Sequence, residues 1–195
     1  MNYERILLKA IKFGIILALF TPLILGRFGL TLSAYPKAVF FRSLIEIIFI
    51  FYLLLISLNR KYLPKISLLF LAISIFIGSL ILTSFTGVNF HRSFFGDPER
   101  TVGVILYLHL FVFFLILISV FREKKEWFKL FEITVIVSGI SSLAGILQKL
   151  NVFSFYGLSL PQRISGTLSN PDFFAPYIVL SIFLAFFLLL KSNFS

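Results

Sequence analysis

The chain has 195 residues, of which 59% are hydrophobic and 13% charged, whereas a soluble domain is about 45–50% apolar and about a quarter charged. A soluble core of this length has no room for 27 phenylalanines and a mean hydropathy of +1.03, so lipid is the expected solvent. Soluble enzymes, disordered chains and disulfide scaffolds are excluded together. Eighteen Lys and Arg against eight Asp and Glu give a net charge of +10. The basic residues sit mostly at the ends of apolar runs, which points to membrane topology and anionic ligands and away from nucleic acid. With no cysteine, the chain has no disulfides, thiolate metal sites or thiol nucleophiles.

In chain order, apolar runs fall at 6–26, 38–58, 66–84, 102–121, 130–150 and 172–190. Each is about 19–21 residues, enough to cross a hydrocarbon core of roughly 30 Å at 1.5 Å per residue. No A-x-A-like cleavage site follows the first run, so it reads as a transmembrane helix and not as a signal peptide. The expected architecture is all-α, a polytopic membrane protein of about six transmembrane helices forming a single domain over 1–195. With the N-terminus inside, eleven of the eighteen basic residues lie on the cytoplasmic side, densest in 59–65 (NRKYLPK) and 122–129 (REKKEWFK). That bias predicts cytoplasmic placement of both termini.

The two longer outer loops, 85–101 and 151–171, are punctuated by Asp97-Pro98, Gly157, Pro161, Gly166 and Asn170-Pro171, and are the expected seat of function. Seven basic residues (Arg27, Lys37, Arg42, Arg92, Arg100, Lys149 and Arg163) face outward against four acids (Glu46, Asp97, Glu99 and Asp172). Guanidinium groups bind phosphate bidentately and stay charged when partly dehydrated, so an outer surplus of arginine suits a phosphate or pyrophosphate ligand. For Arg27 and Lys37 the alternative is headgroup snorkelling.

Arg42 lies about one turn inside the second run with Glu46 four residues on, so the two share a helix face and can pair. Ionisable groups at that depth face a bundle interior or a wet cavity, and the alternatives are a functional pair or a packing lock. Glu99 and Arg100 precede the fourth run, where a helix N-terminus favours an anion; a simple N-capping turn is the other reading. The two histidines, His91 and His109, match no metal-ligand spacing; His109 reads as a hydrogen-bonded interior residue. In the last loop, Arg163 is followed by Ser165-Gly166-Thr167, a flexible stretch whose N–H groups can approach an anion before Asn170-Pro171 opens the sixth helix. No nucleotide-binding or serine-hydrolase motif is present.

The stretch R-x-S-G-T-L-S-N-P-D-F-F-A at 163–175 resembles the R-x-x-G-T-x-x-N-P-x-x-x-A element of the bacterial O-antigen ligase and polymerase-related membrane protein family. Phe95 to Arg100 with Gly103 is similar to that family's E-R-x-x-G element, and Pro36 to Arg42 opens the second span in a comparable way. The resemblance covers most of the chain as the N-terminal half of the family's domain, members being about twice this length.

The resemblance implies a multi-pass protein of the bacterial cytoplasmic membrane that transfers a glycan from an undecaprenyl-pyrophosphate carrier to an acceptor hydroxyl on the extracytoplasmic side. The acceptor is a glycan, lipid or protein, and no cofactor or metal is needed. Arg163, Arg100 and Arg42 are the expected carrier-binding residues, and the acceptor-activating base is expected in the family domain's other half. The alternatives are an O-antigen polymerase, a protein O-oligosaccharyltransferase, or a non-catalytic or transport subunit.

Overall fold

A computed structural model of the chain describes residues 2–28, 31–32, 34–97, 102–150 and 163–193. These are almost entirely helical: α1 Asn2–Ala18, α2 Tyr35–Leu58, α3 Leu68–Thr86, α4 Phe90–Phe95, α5 Val104–Val120, α6 Lys124–Lys149 and α7 Pro171–Asn193. A two-residue antiparallel ladder pairs β1 (Arg27–Phe28) with β2 (Thr31–Leu32). By length and composition, four helices can cross a membrane, namely Tyr35–Leu58, Leu68–Thr86, Lys124–Lys149 and Pro171–Lys191, and Val104–Val120 is a shorter apolar one. Large apolar side chains such as Ile75, Leu82, Phe183 and Leu189 stand exposed along them, a surface that lipid solvates and water does not. The chain is a helical membrane protein.

Two boundaries differ from the sequence pattern for a local reason. The 6–26 run is helical only to Ala18, because Pro22 has no N–H for the Ala18 carbonyl and disfavours helical backbone at Thr21; a 3-10 turn, Thr21–Leu23, follows. α1 is thus 17 residues with Lys9 and Lys12 in its middle, and is not among the four long apolar helices. α6 begins six residues before its apolar run, because Glu123 and Glu126 form a reciprocal capping box that holds the charged first turn in the helix. The 85–101 loop also contains α4, with Asn89 Oδ1 accepting from Arg92 N at 3.0 Å.

The chain forms two compact units. The first comprises residues 1–18 and 38–122. Ile11, Ile15 and Ala18 of α1 and Phe41, Ile45, Ile48, Tyr52 and Leu55 of α2 are buried at alternating three- and four-residue steps, one stripe on each helix. Gly14 lets α1 approach α2, since a Cβ there would lie 2.7 Å from Ile48 Cγ1. Aromatic contacts tie α5 to α2 (Phe41–Phe113, 5.8 Å) and to α3 (Phe76–Tyr107, 6.2 Å). At one end, the Glu4 carboxylate meets Lys61 Nζ at 2.7 Å and accepts from the Tyr62 hydroxyl at 3.0 Å, while the Arg122 guanidinium donates to the Lys61 carbonyl. This end gathers the start of α1, the 59–65 turn and the end of α5.

The second unit comprises residues 19–37 and 123–195. α6 and α7 pack along their length, with Phe187 stacked on Phe128 at 5.9 Å and edge-on to Phe131 at 6.2 Å.

Two outcomes follow from this packing. Gly14→Leu forces a branched side chain into Ile48 and is expected to destabilise the first unit by about 1–3 kcal/mol, measurable as a lowered thermal midpoint in detergent. The hydrogen bond from Lys61, then that from Tyr62, holds Glu4 below its ordinary 4.5, and Glu4 in turn raises Lys61 above its ordinary 10.5. A lowered carboxylate stabilises the fold above its ordinary value, and that contribution is lost as pH falls through the lowered one; Lys61 contributes below 10.5 and loses it as pH rises through its raised value. Amide exchange in the first turns of α1 should therefore accelerate on acidification below the carboxylate range and with added salt, and Glu4→Gln should abolish the acid dependence.

Candidate functional site

The segment after Arg163 is a folded turn seated on α6. The Gln148 side-chain oxygen accepts from both Ser165 N and Gly166 N at 3.1 Å, and its amide nitrogen lies 3.4 Å from Ser165 Oγ. Thr167 Oγ1 and Ser141 Oγ are 2.6 Å apart, both residues buried. Gly166 has φ +55° and lies against the Phe174 ring, where a Cβ would come within 2.5 Å, so both its backbone angle and its lack of a side chain are required here. Asn170 Oδ1 accepts from Asp172 N at 2.8 Å and its carbonyl accepts from Phe174 N at 3.0 Å, which starts α7 at Pro171.

The Ser165 and Gly166 N–H groups are thus taken by Gln148 and are not offered to an anion, contrary to the sequence pattern. What the turn presents outward is charge. Arg163 Nη2 lies 2.9 Å from Asp172 Oδ1, with both side chains about two-thirds exposed (69% and 67%). Asp172 also sits in the first turn of α7, where the helix dipole favours an anion. Beside Arg163, Ile164 joins Ile146, Phe174 and Ile178 in lining an apolar cavity of about 320 Å³ that also includes Lys149. The Tyr177 hydroxyl is buried and meets no partner among the described residues.

In the first unit, Glu46 pairs with His109 and not with Arg42. His109 Nε2 lies 3.1 Å from Glu46 Oε1, and His109 Nδ1 lies 2.7 Å from the Ile105 carbonyl. Half-buried Arg42 donates from Nε to the Ala38 carbonyl at 3.3 Å, and no ion pair joins it to Glu46 among the described residues. His109 is the interior, hydrogen-bonded histidine its position suggests. His91 is exposed with its ring against Phe95 at 4.9 Å, next to the Arg92–Asp97 pair at 3.0 Å.

Lys37 is buried and donates to the Ile24 carbonyl, so it does not snorkel. Arg100, together with Pro98, Glu99, Gly157 and Pro161, lies outside the described residues. Arg42 belongs to the first unit and Arg163 to the second. No group of three or more metal-binding side chains occurs among the described residues.

Gln148 is the residue that sequence reasoning missed; its signal is the one side-chain amide in α6, beside Lys149 at the helix end. No protein-family model, no curated protein and no solved structure matches the chain.

Gln148→Ala would strip two backbone donors of their acceptor and is expected to cost about 1–3 kcal/mol locally. Amide exchange at Ser165 and Gly166 should rise sharply while the middle of α6 stays protected, and Gln148→Glu, which keeps the accepting oxygen, should restore most of the protection.

Proposed function

We propose that this chain is part of a glycosyltransferase of the bacterial cytoplasmic membrane. Within it, the outer face of the second unit holds the pyrophosphate of an undecaprenyl-linked glycan for transfer to a hydroxyl of a glycan, lipid or protein acceptor. The observation that carries this reading is the built turn at 163–174: a guanidinium stands exposed on a turn anchored by Gln148, Ser141 and Phe174, at the motif that resembles the O-antigen ligase family. An exposed Arg–Asp pair contributes at most about 1 kcal/mol, so a pyrophosphate with more charge and more acceptor oxygens can displace Asp172 from Arg163. The adjoining apolar cavity and Lys149 suit a lipid whose headgroup is anionic.

In this reading α1 and α5 complete six spans, with both termini cytoplasmic. The Glu4, Lys61 and Arg122 end of the first unit is the inner end, as the positive-inside bias places it. The chain contributes carrier binding, with Arg163 of the second unit on the leaving pyrophosphate; Arg42 of the first unit and Arg100 are separate candidates for contact with an anionic lipid. Fixed positive charge where the pyrophosphate charge develops lowers the barrier to departure without a metal or nucleotide.

The test is transfer of a glycan from undecaprenyl pyrophosphate in membranes carrying the native reading frame. Arg163→Ala is expected to reduce turnover by about 100-fold or more, and Arg163→Lys to recover little of it, because the planar two-point contact is lost. Unchanged turnover in Arg163→Ala removes the residue from the site.

A further inference from the structure

Glu46 is the twelfth of the 24 residues of α2, and α2 is among the helices able to cross a membrane. His109 stands about a turn and a half into α5, and the two side chains meet beside a cavity of about 110 Å³ lined by Ile45, Phe49, Leu108 and Val112. A carboxylate and an imidazole within apolar helices need a reason, since such groups are costly there.

The hydrogen-bond geometry limits how protons can be placed. The Ile105 carbonyl only accepts, so at 2.7 Å His109 Nδ1 carries a hydrogen. The 3.1 Å contact between Nε2 and Glu46 Oε1 then needs a hydrogen of its own. That hydrogen sits either on Nε2, giving imidazolium and carboxylate, or on Oε1, giving imidazole and carboxylic acid. Both placements have zero net charge. Removing the hydrogen leaves a carboxylate facing a nitrogen lone pair, and adding a second leaves two donors facing each other with a net positive charge beside apolar side chains.

We propose that Glu46 and His109 form a one-proton site within the apolar helices α2 and α5, which binds a single proton and returns it as a unit. The Glu46 side chain is 65% exposed outside the chain's own packing, so a proton can reach Oε1 without passing through the chain's interior. On α2 itself, Arg42 lies one turn before Glu46 and Lys37 lies nearer the helix start. α3 carries no charged residue, and α5 has no other titratable group than Tyr107. α1 carries Glu4, which is held by Lys61, together with Arg5, Lys9 and Lys12, the last over Phe121 beyond the far end of α5. α4 carries His91 and Arg92, and Arg92 is already held by Asp97. The site stands independently of the glycan-transfer reading.

Because the chain has two histidines, a His91→Asn background leaves one imidazole to observe by 15N nuclear magnetic resonance in phosphatidylcholine bilayers. Nδ1 is expected to stay protonated throughout, and Nε2 to show one transition that coincides with a change in the Glu46 carboxyl stretch in the infrared. Glu46→Gln should change the Nε2 transition and remove the infrared change that accompanies it, as expected where the two groups share a proton, while leaving the Nδ1 hydrogen bond that reports an intact fold. Glu46→Asp, which restores a carboxyl group, should restore a coupled transition if Glu46→Gln proves misfolded. A His109 transition indifferent to both substitutions, or an infrared signal unchanged across it, overturns the proposal.

Discussion

A polar group inside an apolar helix has no water to fall back on, and nearly every specific contact in this protein answers that constraint. Hydroxyls solve it locally by donating one turn back along their own helix. Ser74 bonds the Phe70 carbonyl at 2.8 Å, Thr134 the Leu130 carbonyl at 2.8 Å and Ser181 the Tyr177 carbonyl at 2.8 Å. Arg42 and His109 also reach a carbonyl one turn back, whereas other large groups find partners elsewhere in their unit. The Tyr52 hydroxyl bonds the Tyr62 carbonyl and Ser119, Lys37 donates to the Ile24 carbonyl, and Gln148 serves two backbone amides. These bonds act with van der Waals packing, which also drives helix association in lipid, to fix where chain segments dock.

The 163–170 turn shows what this does for a candidate site. Its backbone is held from the helix side by Gln148, Ser141 and the Phe174 ring, which leaves Arg163 on a positioned base with its head in the open. A guanidinium on a rigid mount loses less entropy on meeting an anion than one on a mobile loop. The same logic separates Arg163 from Arg92: both pair with a nearby carboxylate, but α4, which carries Arg92, has six residues and its surroundings are exposed.

Much of the fold is legible from the order of residues. Long runs such as 38–58 and 66–84 have the length and apolarity of spanning helices, and Pro22 and the Glu123/Glu126 box mark boundaries once their chemistry is considered. Less of the site is legible. A four-residue spacing makes Arg42 and Glu46 look like partners, yet Glu46 takes His109, 63 residues away, because the α2–α5 packing brings an imidazole to the carboxylate. A Ser-Gly-Thr stretch looks like a set of free amides until Gln148 occupies two of them.

The sequence by itself determined that lipid is the solvent, where the apolar helices lie and on which residues charge is concentrated. Those properties depend on composition and on periods of a few residues, and every chain with this pattern shares them. Tertiary structure decided which polar groups are consumed and which remain available. Lys37, Gln148 and the 165–166 amides are bound internally, whereas the Arg163–Asp172 pair stands open to solvent and Glu46 meets His109 beside a cavity. Pairing depends on distance between helices, and that distance is set by contacts such as Gly14 on Ile48 and Phe41 on Phe113, far apart in the chain.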